Sequence, residues 1–305
     1  MLSETVRRWV CDASGAALVS SRELPGATSS SVLLLEFDDG SRRVLRLHTK
    51  DDWLAREPDI ATREAIALQV LAGTAVVAPA LIAVDEAGEF CGRPAVLMSM
   101  LPGHADLSDA SPERLRVLAG ALAPLHRLTA PAGLPVFAPY LAAAERIVPS
   151  WTAIPQVWWA AIEICAGPSP SGPKGLIHRD YHPGNVLFEG RELTGIVDWV
   201  NASAGPPEID VAHCRVNLAI VHGVEVADAF AAECGTDPHR QAYWDLVDCL
   251  DLFEAEARES PEPDPVAGLD ALHAMGAPPL TQELVNQRID DYVSDAVRRW
   301  ELARR

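Results

Sequence analysis

Lysine is almost missing from this chain. Of 25 basic residues in 305, only Lys50 and Lys174 are lysines; the rest are arginine. Any site that needs a cation must therefore use arginine almost everywhere, with its planar fork in place of a compact ammonium. Positive charge as a whole is also short. The formal net charge is −18 and the pI is near 4.8. Such a field excludes nucleic acid and anionic membrane surfaces as partners, and it favours cationic ones. It also aids solubility. No apolar run approaches 18 residues, so no membrane-spanning helix is expected. Met1 to Val10 carries charge but no apolar core, so no secretory leader is expected there. The six cysteines, Cys11, Cys91, Cys165, Cys214, Cys234 and Cys249, include no C-x-x-C pair. That excludes a zinc ribbon or a disulfide framework and predicts buried, reduced thiols. Together these absences predict a soluble cytoplasmic protein.

What is present is a globular balance, 49% hydrophobic and 22% charged. No internal repeat occurs. Ser31 to Phe37 is apolar and β-branched and predicts a strand. Asp38-Asp39-Gly40-Ser41 predicts a hairpin turn, and Arg42 to His48 the returning strand. Thr62 to Ala72 has apolar residues at helical spacing and stops at Gly73. Ala95 to Leu101 predicts another short strand, closed by Pro102-Gly103. Beyond it the pattern turns helical. Ser111-Pro112 starts a helix running to about Leu128. Further helical segments are expected over 139–149, 153–165, 208–258 and 281–303. Residues 167–175 form a Pro/Gly/Ser loop, and 176–198 hold loops and short strands.

The residues that carry chemistry lie together. Ile177 to Leu187 reads I-H-R-D-Y-H-P-G-N-V-L, with Asn185 five residues after Asp180. Thirteen residues beyond Asn185 comes Asp198, in I-V-D-W. Carboxylate and amide oxygens suit Mg²⁺, and a carboxylate can orient a hydroxyl and take its proton; phosphoryl transfer needs both. His178 and His182 stand four apart, but a metal pair at that spacing needs a helix, which Pro183-Gly184 opposes.

This stretch resembles the aminoglycoside phosphotransferase and choline kinase relatives. His182 stands where protein kinases usually have lysine, and the Asp-Phe-Gly and Ala-Pro-Glu motifs are missing. The resemblance spans about residues 20 to 250. It implies an α+β, bilobal, protein-kinase-like fold with a β-rich N-terminal lobe and a mainly helical C-terminal lobe. The implied division is 1–98 for a nucleotide-binding lobe, 99–103 for an interlobe linker, and 104–305 for a catalytic and substrate-binding lobe. It also implies ATP and Mg²⁺ as cofactors. By position, Asp180 is the catalytic base, and Asn185 and Asp198 hold Mg²⁺. His178 packs the loop, and Asp210 buttresses it from a G-P-x-x-x-D-x-A pattern. Ser29 and Ser30 fall in the phosphate-loop position. Arg46, in Val44-Leu45-Arg46, stands where kinases put lysine, and Glu64 would pair with it. The backbone of Ser99 and Leu101 would meet the adenine edge.

The implied acceptor is a hydroxylated small molecule. Asp245, Asp248 and Asp251 are three apart, with Glu254 continuing the row, so they share one helix face. Such a face suits a cationic, aminoglycoside-like antibiotic; the plainer alternative is a solvated helix face. Trp158, Trp159 and Trp244 are candidates either for core or for stacking on a ring. Choline, an amino alcohol or a sugar remain alternative acceptors. A catalytically silent nucleotide-binding fold is a further alternative, resting on Arg46.

Overall fold

The computed structural model describes residues 2–24, 30–253 and 265–303. Two compact units emerge. One comprises Met1–Gly103 with Pro131–Leu134 and Thr194–Ala202; the other comprises His104–Ala130, Pro135–Leu193 and Ser203–Arg305. The first is β-rich and the second mainly helical, as the α+β expectation has it.

The first unit opens with α1 (Glu4–Ser14), which the sequence pattern did not reveal. Ser3 caps it by accepting the Val6 N–H, and Gly15 ends it in the left-handed region. The strands β1 (Leu18–Glu23), β2 (Ser30–Phe37) and β3 (Arg42–His48) follow, then α2 (Asp51–Arg56), α3 (Ile60–Leu71), β4 (Leu81–Asp85) and β5 (Ala95–Ser99). They form one antiparallel sheet in the order β1-β2-β3-β5-β4. The Asp38–Ser41 hairpin is formed, with the Phe37 N–H donating to the Ser41 carbonyl at 3.0 Å. Alternation along β3 then decides what faces where. Leu45 joins Leu35, Phe37, Ala95 and Leu97 under Val6 and Val10 of α1. Arg46 and His48 are left facing Glu64 of α3. Helix α3 is buried nearly all round, which explains its run of alanine and leucine.

The second unit contains α4 (Pro112–His126), capped by Ser111, and α5 (Pro155–Ala166). Next come β6 (Gly175–Ile177), β7 (Val186–Glu189) and β8 (Glu192–Ile196), whose last residues continue into the first unit, then β9 (Ser203–Gly205). The helices α6 (Glu208–His222), α7 (Val224–Cys234), α8 (Pro238–Asp251), α9 (Pro265–Ala274) and α10 (Gln282–Leu302) complete it. Helix α6 is the centre, packed by α7, α8 and α10. The single helical stretch expected from residue 208 is divided at Gly223 and Gly235.

The helix expected over 139–149 is not formed; only one 3₁₀ turn occurs, Ala143–Glu145. Its backbone has other partners. The Tyr140 and Leu141 N–H groups donate to Asp251, and the Ala142 N–H donates to Glu145. Tertiary hydrogen bonds override a modest helix propensity. All six cysteines are free thiols; Cys165, Cys214 and Cys249 are buried and the other three are partly buried.

Candidate active site

Arg46 sits mid-sheet, opposite Val32 of β2 and Val96 of β5. Its side chain is largely buried, so it needs counter-charge. Its Nε lies 3.3 Å from Glu64 Oε1, the pairing the sequence suggested, and its Nη1 lies 2.8 Å from Asp198 Oδ1. Burial pushes the Glu64 carboxyl up to about 7, opposed by Arg46 and reinforced by Asp198. Burial, with Arg46 and Arg63 nearby, drives His48 down to about 3, so it is neutral beside them.

Asp198 adopts φ 68°, a left-handed conformation that costs a non-glycine residue about 1–2 kcal/mol. Its neighbours hold it there. Trp199 is fully buried and donates its indole N–H to the Ile196 carbonyl at 2.8 Å. Gly195 lies against Leu101, where a Cβ would come within 2.2 Å of Leu101 Cδ1. The Ser99 N–H already donates to the Ala80 carbonyl at 2.9 Å. It is therefore not available to an adenine ring, while the Leu101 N–H donates to no described residue. The Ser30 hydroxyl is buried without a hydrogen-bond partner among the described residues. Ser29 lies outside the described residues.

In the second unit β6 pairs with β9, Gly175 opposite Gly205, and delivers the chain into residues 178–185. Asp210 is fully buried on α6. It accepts the His178 N–H at 3.0 Å and the Arg179 N–H at 2.7 Å, and its Oδ2 lies 2.9 Å from His126 Nε2. Arg179 has φ 69°, and its guanidinium donates to the Ala138 carbonyl and lies over the Tyr140 ring. His178 is buried, and its Nδ1 accepts the Asp180 N–H. The loop is thus fixed on both sides of Asp180. Asn185 Nδ2 donates to the Asp180 carbonyl at 2.9 Å and to Asp180 Oδ2 at 3.2 Å. That leaves the Asn185 amide oxygen as its remaining donor atom. That oxygen and, in the first unit, the carboxylate oxygens of Asp198 are each hard ligand atoms of the kind Mg²⁺ takes, so the donor chemistry of each fits that ion.

His213, which sequence reasoning missed, meets the other Asp180 oxygen. Its Nε2 is 3.0 Å from Asp180 Oδ1, and its Nδ1 is 3.2 Å from Asp248 Oδ1. The signal was present: His213 follows Asp210 by three residues on a helix, one turn along the same face. Desolvation pushes Asp180 up, but the His213 hydrogen bond and the histidines beside the carboxylate outweigh it and hold the carboxyl well below the usual range. Desolvation pulls His213 down, but Asp248 and Asp180 together raise it well above the ordinary histidine value. Asp180, His182 and His213 also have atoms close enough to ligate one metal. Hydrogen bonding opposes that reading. His182 Nδ1 accepts the Gly184 N–H, so its Nε2 carries the proton. Both His213 nitrogens face carboxylates and carry protons as well.

The acidic row does not form one open face, which corrects the expectation for Asp245, Asp248 and Asp251. Asp245 is fully buried and accepts from Arg215, from Arg299 at 2.6 Å and from Gln241 at 2.7 Å. Asp248 is taken by His213. Asp251 accepts the Tyr140 and Leu141 N–H groups, and burial pushes its carboxyl up to about 6. Glu254 lies outside the described residues. Trp158 is core, with its indole N–H on Asp290, and Trp159 is exposed. Trp244 borders a cavity of about 650 Å³ with Phe137 and Tyr243; Asp180 does not line it.

These geometries can be set beside known proteins. The homoserine kinase of Methylobacterium nodulans is 34% identical over 139 residues, and the match spans 42% of each chain. A macrolide 2'-phosphotransferase from Brachybacterium faecium superposes with a TM-score of 0.58 at 21% identity, covering 89% of this chain and 98% of that one. The aminoglycoside phosphotransferase APH(4)-Ia superposes with a TM-score of 0.63 at 16% identity, covering 95% and 98%. At such identities the two structures establish the shared fold alone. The family model described as the phosphotransferase enzyme family matches residues 20–245, and the chain belongs to that family.

Proposed function

We propose that this chain moves the γ-phosphate of ATP to a hydroxyl of a small metabolite. The observation that carries this reading is the Asp180 carboxylate, held from below by the Asp210-anchored loop and flanked by Asn185. In the reaction the acceptor oxygen bonds to the γ-phosphorus while the bond from that phosphorus to the bridging oxygen breaks, leaving ADP. Asp180 orients the hydroxyl and receives its proton. A carboxyl held at low pKa favours orientation over early proton removal, which suits a loose transition state. Asn185 and Asp198 would hold Mg²⁺, which when bound neutralises phosphate charge. Arg46 would sit on the nucleotide phosphates, in the place of the usual lysine.

For the acceptor we favour a small amino alcohol or hydroxyamino acid of the homoserine type. The relatives matched over 139 residues are homoserine kinases. The three carboxylates weighed as receptors for a polycation, Asp245, Asp248 and Asp251, are engaged within the protein. The second reading is a cationic, aminoglycoside-like acceptor, supported by the net charge of −18.

The test is ADP release from Mg-ATP against a panel of homoserine, choline, sugars and aminoglycosides, with Asp180→Asn as control. Stimulation by homoserine, lost in the control, is expected. Stimulation by aminoglycosides alone would transfer the assignment to the second reading. Stimulation by no acceptor would overturn both.

A further inference from the structure

His213 lies between two carboxylates. Its Nε2 is 3.0 Å from Asp180 Oδ1, and its Nδ1 is 3.2 and 3.3 Å from the two oxygens of Asp248. A neutral imidazole carries one proton. It would then turn a nitrogen lone pair onto one of these carboxylates at hydrogen-bond distance, which is repulsive. Only the doubly protonated ring donates to both. The triad therefore holds one imidazolium and two carboxylates, and the cation is locked by partners on both edges. Its carrier is rigid: α6 also supplies Asp210, which holds the loop backbone on the other side. Asp248 comes from α8, so two packed helices fix the ring.

The two Asp180 oxygens are thus divided. Oδ1 is held by the imidazolium and Oδ2 by Asn185. Without His213, Asp180 would keep one hydrogen-bonded anchor, with His182 Nε2 no nearer than 3.9 Å to Oδ1, and could rotate about its terminal torsion, which is soft for a carboxylate.

We infer that His213, braced by Asp248, is a positioning residue that fixes the orientation of the Asp180 carboxylate toward the acceptor hydroxyl. This rests on the phosphotransfer reading above. It also explains why Asp248 is no receptor for a cationic acceptor: its charge is already spent on the imidazolium.

The experiment uses the full chain with Mg-ATP and homoserine. In His213→Ala, kcat should fall about 100-fold, the scale of loss from slight misplacement of a reacting group. The KM for ATP should change by no more than about twofold, since the effect lies in orientation and not in nucleotide binding. Added imidazole should restore about tenfold of the loss, which a merely folded-state defect would not allow. His213→Gln, which keeps one donor, should fall between. A kcat within about threefold of wild type in His213→Ala would overturn the inference. So would a loss that imidazole does not restore and that tracks a lowered Tm. A second measurement does not depend on turnover. In ¹⁵N-histidine-labelled wild type, His213 should show two hydrogen-bonded ring N–H signals, and Asp248→Asn should alter the Nδ1 signal. One ring N–H or none would overturn the inference even in a protein that phosphorylates homoserine. A wild type with both signals but no turnover of any acceptor in the panel would leave His213 as a brace of Asp180 and overturn the phosphotransfer reading on which its catalytic role rests.

Discussion

Replacing Asp210 by asparagine is a severe test of how the loop is built. The carboxylate receives the His178 N–H at 3.0 Å and the Arg179 N–H at 2.7 Å, with His126 Nε2 at 2.9 Å. Its side chain is fully buried, so water cannot replace a lost partner. An asparagine can keep its oxygen on the Arg179 N–H, but its NH₂ then faces the His178 N–H. His126 can change tautomer and accept; a backbone N–H cannot. One hydrogen bond to a charged acceptor, about 1.5–3 kcal/mol, is lost, and a buried donor is left unpaired at about 1–3 kcal/mol. These overlap, so about 3 kcal/mol is expected for Asp210→Asn. Asp210→Ala strips all three partners and should reach about 3–5 kcal/mol. Arg179 is held at φ 69° against its own preference, so the loop should relax and carry Asp180 with it. Urea unfolding measures the first effect and kcat the second; we expect kcat to fall about 100-fold. A stability loss below about 0.5 kcal/mol in Asp210→Asn would refute the reasoning, because it would mean that the buried N–H groups had found other partners.

Asp245→Ala should destabilise the protein by about 1–3 kcal/mol, because it takes one carboxylate from buried Arg215 and partly buried Arg299, which keep Asp228 and Asp295. The acceptor KM in the surviving folded fraction should not move, and a selective rise in that KM would restore Asp245 as a substrate contact. Glu64 titrates near 7 in the folded chain against about 4.5 when unfolded, so folding binds its proton more tightly. Its favourable contribution is complete below pH 4.5 and is lost as pH rises to 7, a slope worth about 3 kcal/mol. Urea midpoints from pH 4.5 to 7.5 should show that slope in wild type and a flatter line in Glu64→Gln; parallel lines would refute it. Gly195→Ala should cost about 1–3 kcal/mol by pressing a methyl on Leu101, and Leu101→Ala in the same chain should recover part of it. Additive losses in that double mutant would show that the contact does not matter.

What could be read from the sequence is what lies close together along it. Asp180, Asn185, Asp198 and Asp210 fall within 31 residues, close enough along the chain for the resemblance to imply a role for each. The hairpin of β2 and β3 was legible because Asp39-Gly40 punctuates two apolar runs. The Arg46–Glu64 pair was implied by the resemblance to kinases, and the two side chains lie 3.3 Å apart. The remainder depends on what packs against a face. Three-residue spacing put Asp245, Asp248 and Asp251 on one side of α8, but it could not show that Arg215 and Arg299, 30 and 54 residues away, occupy the first of them. The spacing of His213 from Asp210 put both on one face of α6, but its two carboxylate partners come from other elements and only the structure shows them. Helix α1 escaped because its apolar residues are few and its polar face is wide.

The thiols give this protein a built-in clock. Cys165, Cys214 and Cys249 sit on α5, α6 and α8, all buried, and burial pushes Cys165 up to about 12. A thiol so protected reacts with an alkylating reagent only when its surroundings open. Pulse labelling read residue by residue would therefore time the opening of three helices in the same unit without any engineered probe. Equal rates would mark the helical unit as a single cooperative block. A faster Cys165 would mean that α5 detaches while the α6–α8 pair, which carries His213 and Asp248, stays closed.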